Sequence, residues 1–89
     1  MEALRKSGNV DVVARKGAEN IAIEVETGKS DVVWNVRQDL LSNYDKILIV
    51  ATDERALKKV EQKLARAGLV IPNRIEVILR DRFTNALRS

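Results

Sequence analysis

The chain has 89 residues, a net charge of +3, and no cysteine or histidine. A chain of this length forms one small domain with a modest hydrophobic core. Disulfides, zinc-thiolate sites, thiol catalysis and a Ser-His-Asp triad are excluded, so any hydrolysis would need a metal ion to activate water.

The first third of the chain predicts a helix end followed by two strands. Residues 1–6 are expected to end a helix, which Ser7 and Gly8 close. β-branched residues favour a strand over residues 10–15, and alternating apolar and polar residues favour a second one over residues 20–26. We expect the two strands to pair as a hairpin, because a short polar segment with a glycine joins them.

The middle of the chain predicts a helix and a buried strand. Ser30 or Asp31 is a suitable cap for a helix over residues 31–43. The continuous apolar run at residues 46–52 is typical of a central strand that is buried on both faces. The apolar stripe of the helix is predicted to contain Val33, Val36, Leu40 and Leu41, with Tyr44 at its end.

The last third predicts another helix, a strand and a short final helix. Asp53 caps the first of these helices and Gly68 ends it. Pro72 and Asn73 turn the chain into a strand over residues 74–79. A short helix is expected at residues 81–87, and the inward side chains of the longer helix are Leu57, Val60, Leu64 and Ala67.

The predicted order is β-β-α-β-α-β-α. It indicates an α/β domain with a small mixed β-sheet flanked by helices. The two β-α-β units require parallel strands joined by right-handed crossovers.

Three carboxylates are predicted to lie close together on the hairpin. Asp11 lies on the first strand, and Glu24 and Glu26 share one face of the second. Carboxylates this close repel one another unless a cation lies between them, and Mg²⁺ or Mn²⁺ is the cation that oxygen ligands prefer. The alternative is an ordinary solvated face, with Ile21, Ile23 and Val25 on the buried face.

This pattern resembles the PD-(D/E)XK nuclease superfamily, which includes restriction endonucleases, archaeal Holliday-junction resolvases and RecB-type nucleases. The resemblance covers roughly residues 8–80. Val10-Asp11 is similar to the first motif, and Ile23-Glu24-Val25-Glu26 is similar to the second. Glu26 stands where the family usually has Lys, although some restriction enzymes of the superfamily carry Glu there.

The resemblance implies a restriction endonuclease-like core of order α-β-β-β-α-β. It also implies that Asp11 and Glu24 bind Mg²⁺ or Mn²⁺, and that Glu26 binds a second ion or orients water. Gln38 is the candidate for the Gln that RecB-type members carry on the following helix, and its alternative is an exposed polar residue. Lys29 is the candidate phosphate contact, and its alternative is a plain surface lysine.

The segment Thr27-Gly28-Lys29-Ser30 is similar to the end of a nucleotide-binding loop, but that motif also needs a glycine at position 23, which is Ile. ATP binding is therefore not predicted for this chain. The longer phrase Glu-Val-Glu-Thr-Gly-Lys-Ser also resembles nuclease-like domains attached to archaeal ATPases and mobile-element proteins. An ATPase domain in a longer parent protein is therefore an expected partner.

Basic charge is concentrated at the end of the chain. Residues 61–89 hold six basic and three acidic side chains, and five of the six are Arg, which suits phosphate groups. The alternative is a solvated surface rich in ion pairs, and the charged composition also suits a thermophile. No apolar run is long enough to span a membrane and no signal core is present, so a cytoplasmic location is expected.

Three functional classes remain open. The first is a metal-dependent DNA endonuclease, which as a homodimer would straddle a duplex. The second is a catalytically inactive nuclease-fold module that binds DNA or protein within a larger DNA-processing ATPase. The third is a small α/β regulatory domain with an incidental acidic cluster.

Overall fold

The computed structural model describes residues 2–7 and 10–83, with side-chain burial from residue 12 onward. Its elements are β1 (Glu2–Ser7), β2 (Val10–Lys16), β3 (Glu19–Glu26), α1 (Val32–Leu41), β4 (Lys46–Ala51), α2 (Glu54–Arg66) and β5 (Ile75–Leu79). Helical structure resumes at residues 80–83, and the rest of the predicted final helix lies outside the described residues. The predicted strands and helices from residue 10 to residue 79 are confirmed, with ends that differ by one or two residues.

The N-terminal prediction is wrong. The segment expected to end a helix is strand β1, which pairs antiparallel with β2. The sheet therefore has five strands in the order β1-β2-β3-β4-β5. Pairing with β2 satisfies the backbone of a segment whose residues would otherwise favour a helix, so tertiary context overrides local propensity.

Strand β3 lies at the centre of the sheet, with antiparallel pairing on one side and parallel pairing on the other. It pairs antiparallel with β2, with Val12 opposite Ile23, and parallel with β4, with Glu24 beside Ile49. Strand β4 also pairs parallel with β5. The predicted hairpin, parallel crossovers and mixed α/β sheet are all present.

Both faces of the sheet are covered. Helices α1 and α2 pack over the face that carries Ala22, Ile47 and Ile49. The opposite face holds a second cluster, against which Phe83 of the C-terminal helical segment packs. The buried members of this second cluster are Ala14, Ile21, Ile23, Leu48 and Val50. Strand β4 is therefore buried on both faces, as the apolar run predicts.

The helix ends follow the sequence closely, but one predicted contact is wrong. Asp31 and Asp53 are the N-caps of α1 and α2, and each accepts a hydrogen bond from a backbone amide three residues later. Gly68 follows α2 with a positive φ of 70°, which the helix-ending turn requires. Leu41 is 81% exposed, because α1 turns Val32, Val36 and Asp39 toward the sheet instead.

Candidate carboxylate site

The candidate site lies at the carboxyl end of β3, where the chain leaves the sheet for α1. Parallel strands present their carboxyl ends at one edge of a sheet, and that edge commonly holds the ligand site of α/β proteins. Here β3, β4 and β5 all end at this edge. Because β2 is antiparallel to β3, its first residues lie at the same edge.

The predicted environment of the acidic residues is wrong. Glu24 and Glu26 were expected on a wet face, but they are 3% and 1% exposed. They share the face of β3 that carries Ala22, and Ala22 packs with α1. Val25, expected to be buried, is 49% exposed. Alternation predicted which residues share a face, but it did not identify which face α1 covers.

Glu26 organises the loop between β3 and α1. Its Oε1 atom accepts hydrogen bonds from the backbone amides of Gly28 (3.3 Å) and Ser30 (3.2 Å). Its backbone oxygen accepts a hydrogen bond from the amide of Thr52, which follows β4 (3.1 Å). Glu26 therefore ties the loop to the sheet, a role that nothing in the sequence except nearby Gly28 indicates.

Gly28 allows the same loop to approach α2. Its φ is +93°, and a Cβ atom at this position would lie 3.4 Å from the Cα of Ala56 and from the Cδ of Lys59. Lys63 of α2 adds a hydrogen bond from its Nζ to the carbonyl oxygen of Ser30 (3.4 Å). The loop is therefore held between β3 and α2 on opposite sides.

The backbone of Asp11 is close to Glu24 in the sheet. Val12 pairs with Ile23, so continuing the antiparallel register by one residue places Asp11 opposite Glu24. The side chain of Asp11 lies outside the described residues. Among the side chains that are described, no group of three acidic residues is arranged to hold a metal ion. The predicted metal set, which includes Asp11, therefore stays a prediction.

The two remaining predicted residues are Lys29 and Gln38. Neither has a described contact with the carboxylates. Lys29 is exposed in the loop after β3. Gln38 is half-buried on α1, about 9 Å along the helix axis from Val32. It lies on the flank opposite Val33 and Leu40, which pack against the core under α1 and α2.

Asp39 is a buried acidic residue that is not among the predicted site residues. It is 2% exposed and lies on the sheet-facing side of α1, one turn after Val36. The only available signal was its place in the 32, 36, 39 stripe, where an acidic residue interrupts an otherwise apolar pattern.

Comparison with family models, with curated proteins and with solved structures finds no match. Within the described residues, no helix is long and apolar enough to cross a membrane.

Proposed function

We propose that this protein is a nuclease-like domain of the PD-(D/E)XK type that acts on DNA with Mg²⁺ or Mn²⁺. The observation that carries the proposal is the position of Glu24. It is a buried carboxylate on the central strand, at the carboxyl edge of the sheet, in register with the backbone of Asp11. Carboxylates at this place on adjacent antiparallel strands are what the family's two acidic motifs require.

The strand order supports the same proposal. Strand β1 adds a third strand before α1, so the chain runs β-β-β-α-β from β1 to β4. This order is similar to the family core after its first helix, whereas the predicted order has only two strands before the first crossover helix. The family's last core strand then corresponds to β4 (Lys46–Ala51).

The donor chemistry fits a hard divalent cation. Asp11 and Glu24 would hold the ion through carboxylate oxygens, the ligands that Mg²⁺ and Mn²⁺ prefer. When bound, such an ion makes water more acidic and offsets negative charge on the phosphate. Glu26 fits this role less well, because its Oε1 already accepts two loop amides. Exposed Lys29 would contact the scissile phosphate.

The inactive binding module is the second candidate, and the burial of the carboxylates favours it. With Glu24 at 3% and Glu26 at 1% exposure, a phosphate group has little access to either. Glu26 also replaces the usual motif Lys and acts as a loop acceptor. As a binding module, the domain would use its carboxylates to stabilise the fold, and a larger ATPase would supply the catalytic activity.

A substitution of Glu24 by Gln tests the metal site. We expect Mn²⁺ to broaden the amide NMR signals of residue 11 and residues 23–27 first in the wild type, and not in Glu24→Gln. Metal-dependent cleavage of single-stranded, duplex or branched DNA should fall at least about 100-fold, because the loss of even an outer-shell partner of a metal ligand costs about 10- to 100-fold.

The matched control is Glu19→Gln, which removes the same charge from an exposed position on the same strand. It should keep both the Mn²⁺ pattern and the cleavage rate. Broadening spread over all acidic residues would contradict the metal site. Site-specific broadening without cleavage by the wild type would leave the binding module as the function.

A substitution of Lys29 by Gln separates phosphate contact from metal binding. We expect cleavage to slow roughly tenfold, because one charge-assisted contact worth about 1.4 kcal/mol is lost. Mn²⁺ broadening should be unchanged, since an ammonium group does not ligate a metal ion. An unchanged cleavage rate would show that Lys29 is an ordinary surface lysine.

A further inference from the structure

Helix α2 carries an exposed stripe of positive charge. At 3.6 residues per turn, five basic side chains lie within an arc of about 140° and along about 16 Å of helix. Gln62 is the other residue in this arc. The basic residues of the stripe, which we call the α2 basic stripe, are Arg55, Lys58, Lys59, Lys63 and Arg66.

The acidic residues of α2 are kept off the stripe. Glu61 lies on the flank facing β5, where it lines a shallow surface depression together with Ile75 and Val77. Glu54 lies on the same flank. Within the part of the chain that the structure describes, no basic residue of the stripe forms an ion pair. Both acidic residues of α2 lie on the Lys58 side of the stripe, and neither interrupts it.

The opposite face of α2 is buried against the core. Ala56, Val60 and Leu64 are 1–2% exposed. A helix that lies in a membrane surface must bury an apolar face in lipid, and α2 has none left. A protein partner would need apolar or aromatic anchors, and the stripe offers only charged and amide groups. A phosphate backbone, by contrast, needs only such charge.

The stripe continues into the loop at the carboxylate edge. Lys63 donates from Nζ to the carbonyl oxygen of Ser30, and Gly28 packs against the first turn of α2. Exposed Lys29 lies between these two loop residues. The positive surface thus reaches from the end of α2 to the loop that follows Glu26.

We propose that the backbone of duplex DNA binds along the α2 basic stripe and the adjoining Lys29. Phosphates of one DNA strand follow one another at 3.4 Å along the duplex axis, so the stripe is as long as about five base-pair steps. The contacts are to phosphates, so binding has little sequence preference. The choice of DNA as the polyanion rests on the proposed function, but the surface is separate from the carboxylates.

A triple substitution with a matched control tests the inference. Arg55→Gln, Lys58→Gln and Arg66→Gln together remove three exposed charges from the stripe and keep good helix formers. Arg15→Gln, Lys16→Gln and Arg37→Gln remove three exposed charges elsewhere. Binding of a 20-base-pair duplex is measured by fluorescence anisotropy over a range of salt concentrations. Circular dichroism verifies that each variant is folded. Binding to anionic phospholipid vesicles is measured as a comparison.

We expect the triple substitution in the stripe to weaken duplex binding roughly 10- to 100-fold. It should also reduce, by about 3, the magnitude of the slope of the logarithm of the association constant against the logarithm of the salt concentration. The control triple should change the slope by less than one. Equal losses in the two triples, or tighter binding to vesicles than to DNA, would overturn the inference. Absence of any DNA binding by the wild type would overturn both this inference and the proposed function. DNA binding without site-specific Mn²⁺ broadening would overturn the metal site alone.

Discussion

Replacing Glu26 by Ala should destabilise the protein by about 2–4 kcal/mol, because two loop amides lose a buried acceptor. The amides are those of Gly28 and Ser30, and the side chain they share is 1% exposed. The substitution also leaves a cavity beside the core, which adds to the loss. A domain of this size has a total stability of about 5–10 kcal/mol, so the expected loss is a large part of it.

Urea unfolding followed by circular dichroism measures this change. Glu26→Gln should lose less than Glu26→Ala, since the amide oxygen of Gln can still accept hydrogen bonds from the loop. Glu19→Ala, at an exposed position of the same strand, should change the free energy of unfolding by less than about 0.5 kcal/mol. Equal stabilities of the Ala and Gln variants would show that the hydrogen bonds to Oε1 contribute nothing.

Replacing Ile49 by Ala should cost about 3–5 kcal/mol. Ile49 is fully buried at the middle of β4, between Glu24 of β3 and Val77 of β5 in the sheet. It packs in the cluster under α1 and α2. Because strands lie on both sides of β4 and helices above it, the surroundings cannot collapse into the space left by the removed atoms.

The matched control for Ile49 is Val25→Ala on the adjacent strand. Val25 is 49% exposed, so its truncation should cost less than about 1 kcal/mol. Thermal unfolding compares the two variants, and the midpoint should fall far more for Ile49→Ala. Similar losses at the two positions would mean that the packing between β4 and the helices is looser than the structure shows.

Most of the fold from residue 10 onward follows from local patterns in the sequence. Aspartates at positions 31 and 53 mark the helix starts, and the apolar run in β4 marks a strand without solvent exposure. These features are determined by residues that are close together in the chain, so they can be predicted from the sequence. Strand β1 is different, since it is a strand only through its pairing with β2. No local pattern reports such a pairing.

The candidate site was predictable in position but not in environment. Alternation places Glu24 and Glu26 together, and the register places Asp11 beside them. Which face α1 covers depends on how the chain crosses the sheet after residue 26, and both faces of β3 carry buried residues. The sequence therefore could not show that the acidic face is the one that α1 covers. The hydrogen bonds of Glu26 to the loop depend on the same crossing.

The order of strands in the sheet is the same as their order in the chain. Each new strand therefore docks at the growing edge of the sheet, and no strand has to insert between two that are already paired. The first pairings are between strands that only two residues separate in the chain, and the crossovers through α1 and α2 follow. We expect folding to proceed as a progressive addition from the N-terminus, in the order in which a ribosome releases the strands. In that order, the acidic face of β3 stays open to solvent until α1 is added over it.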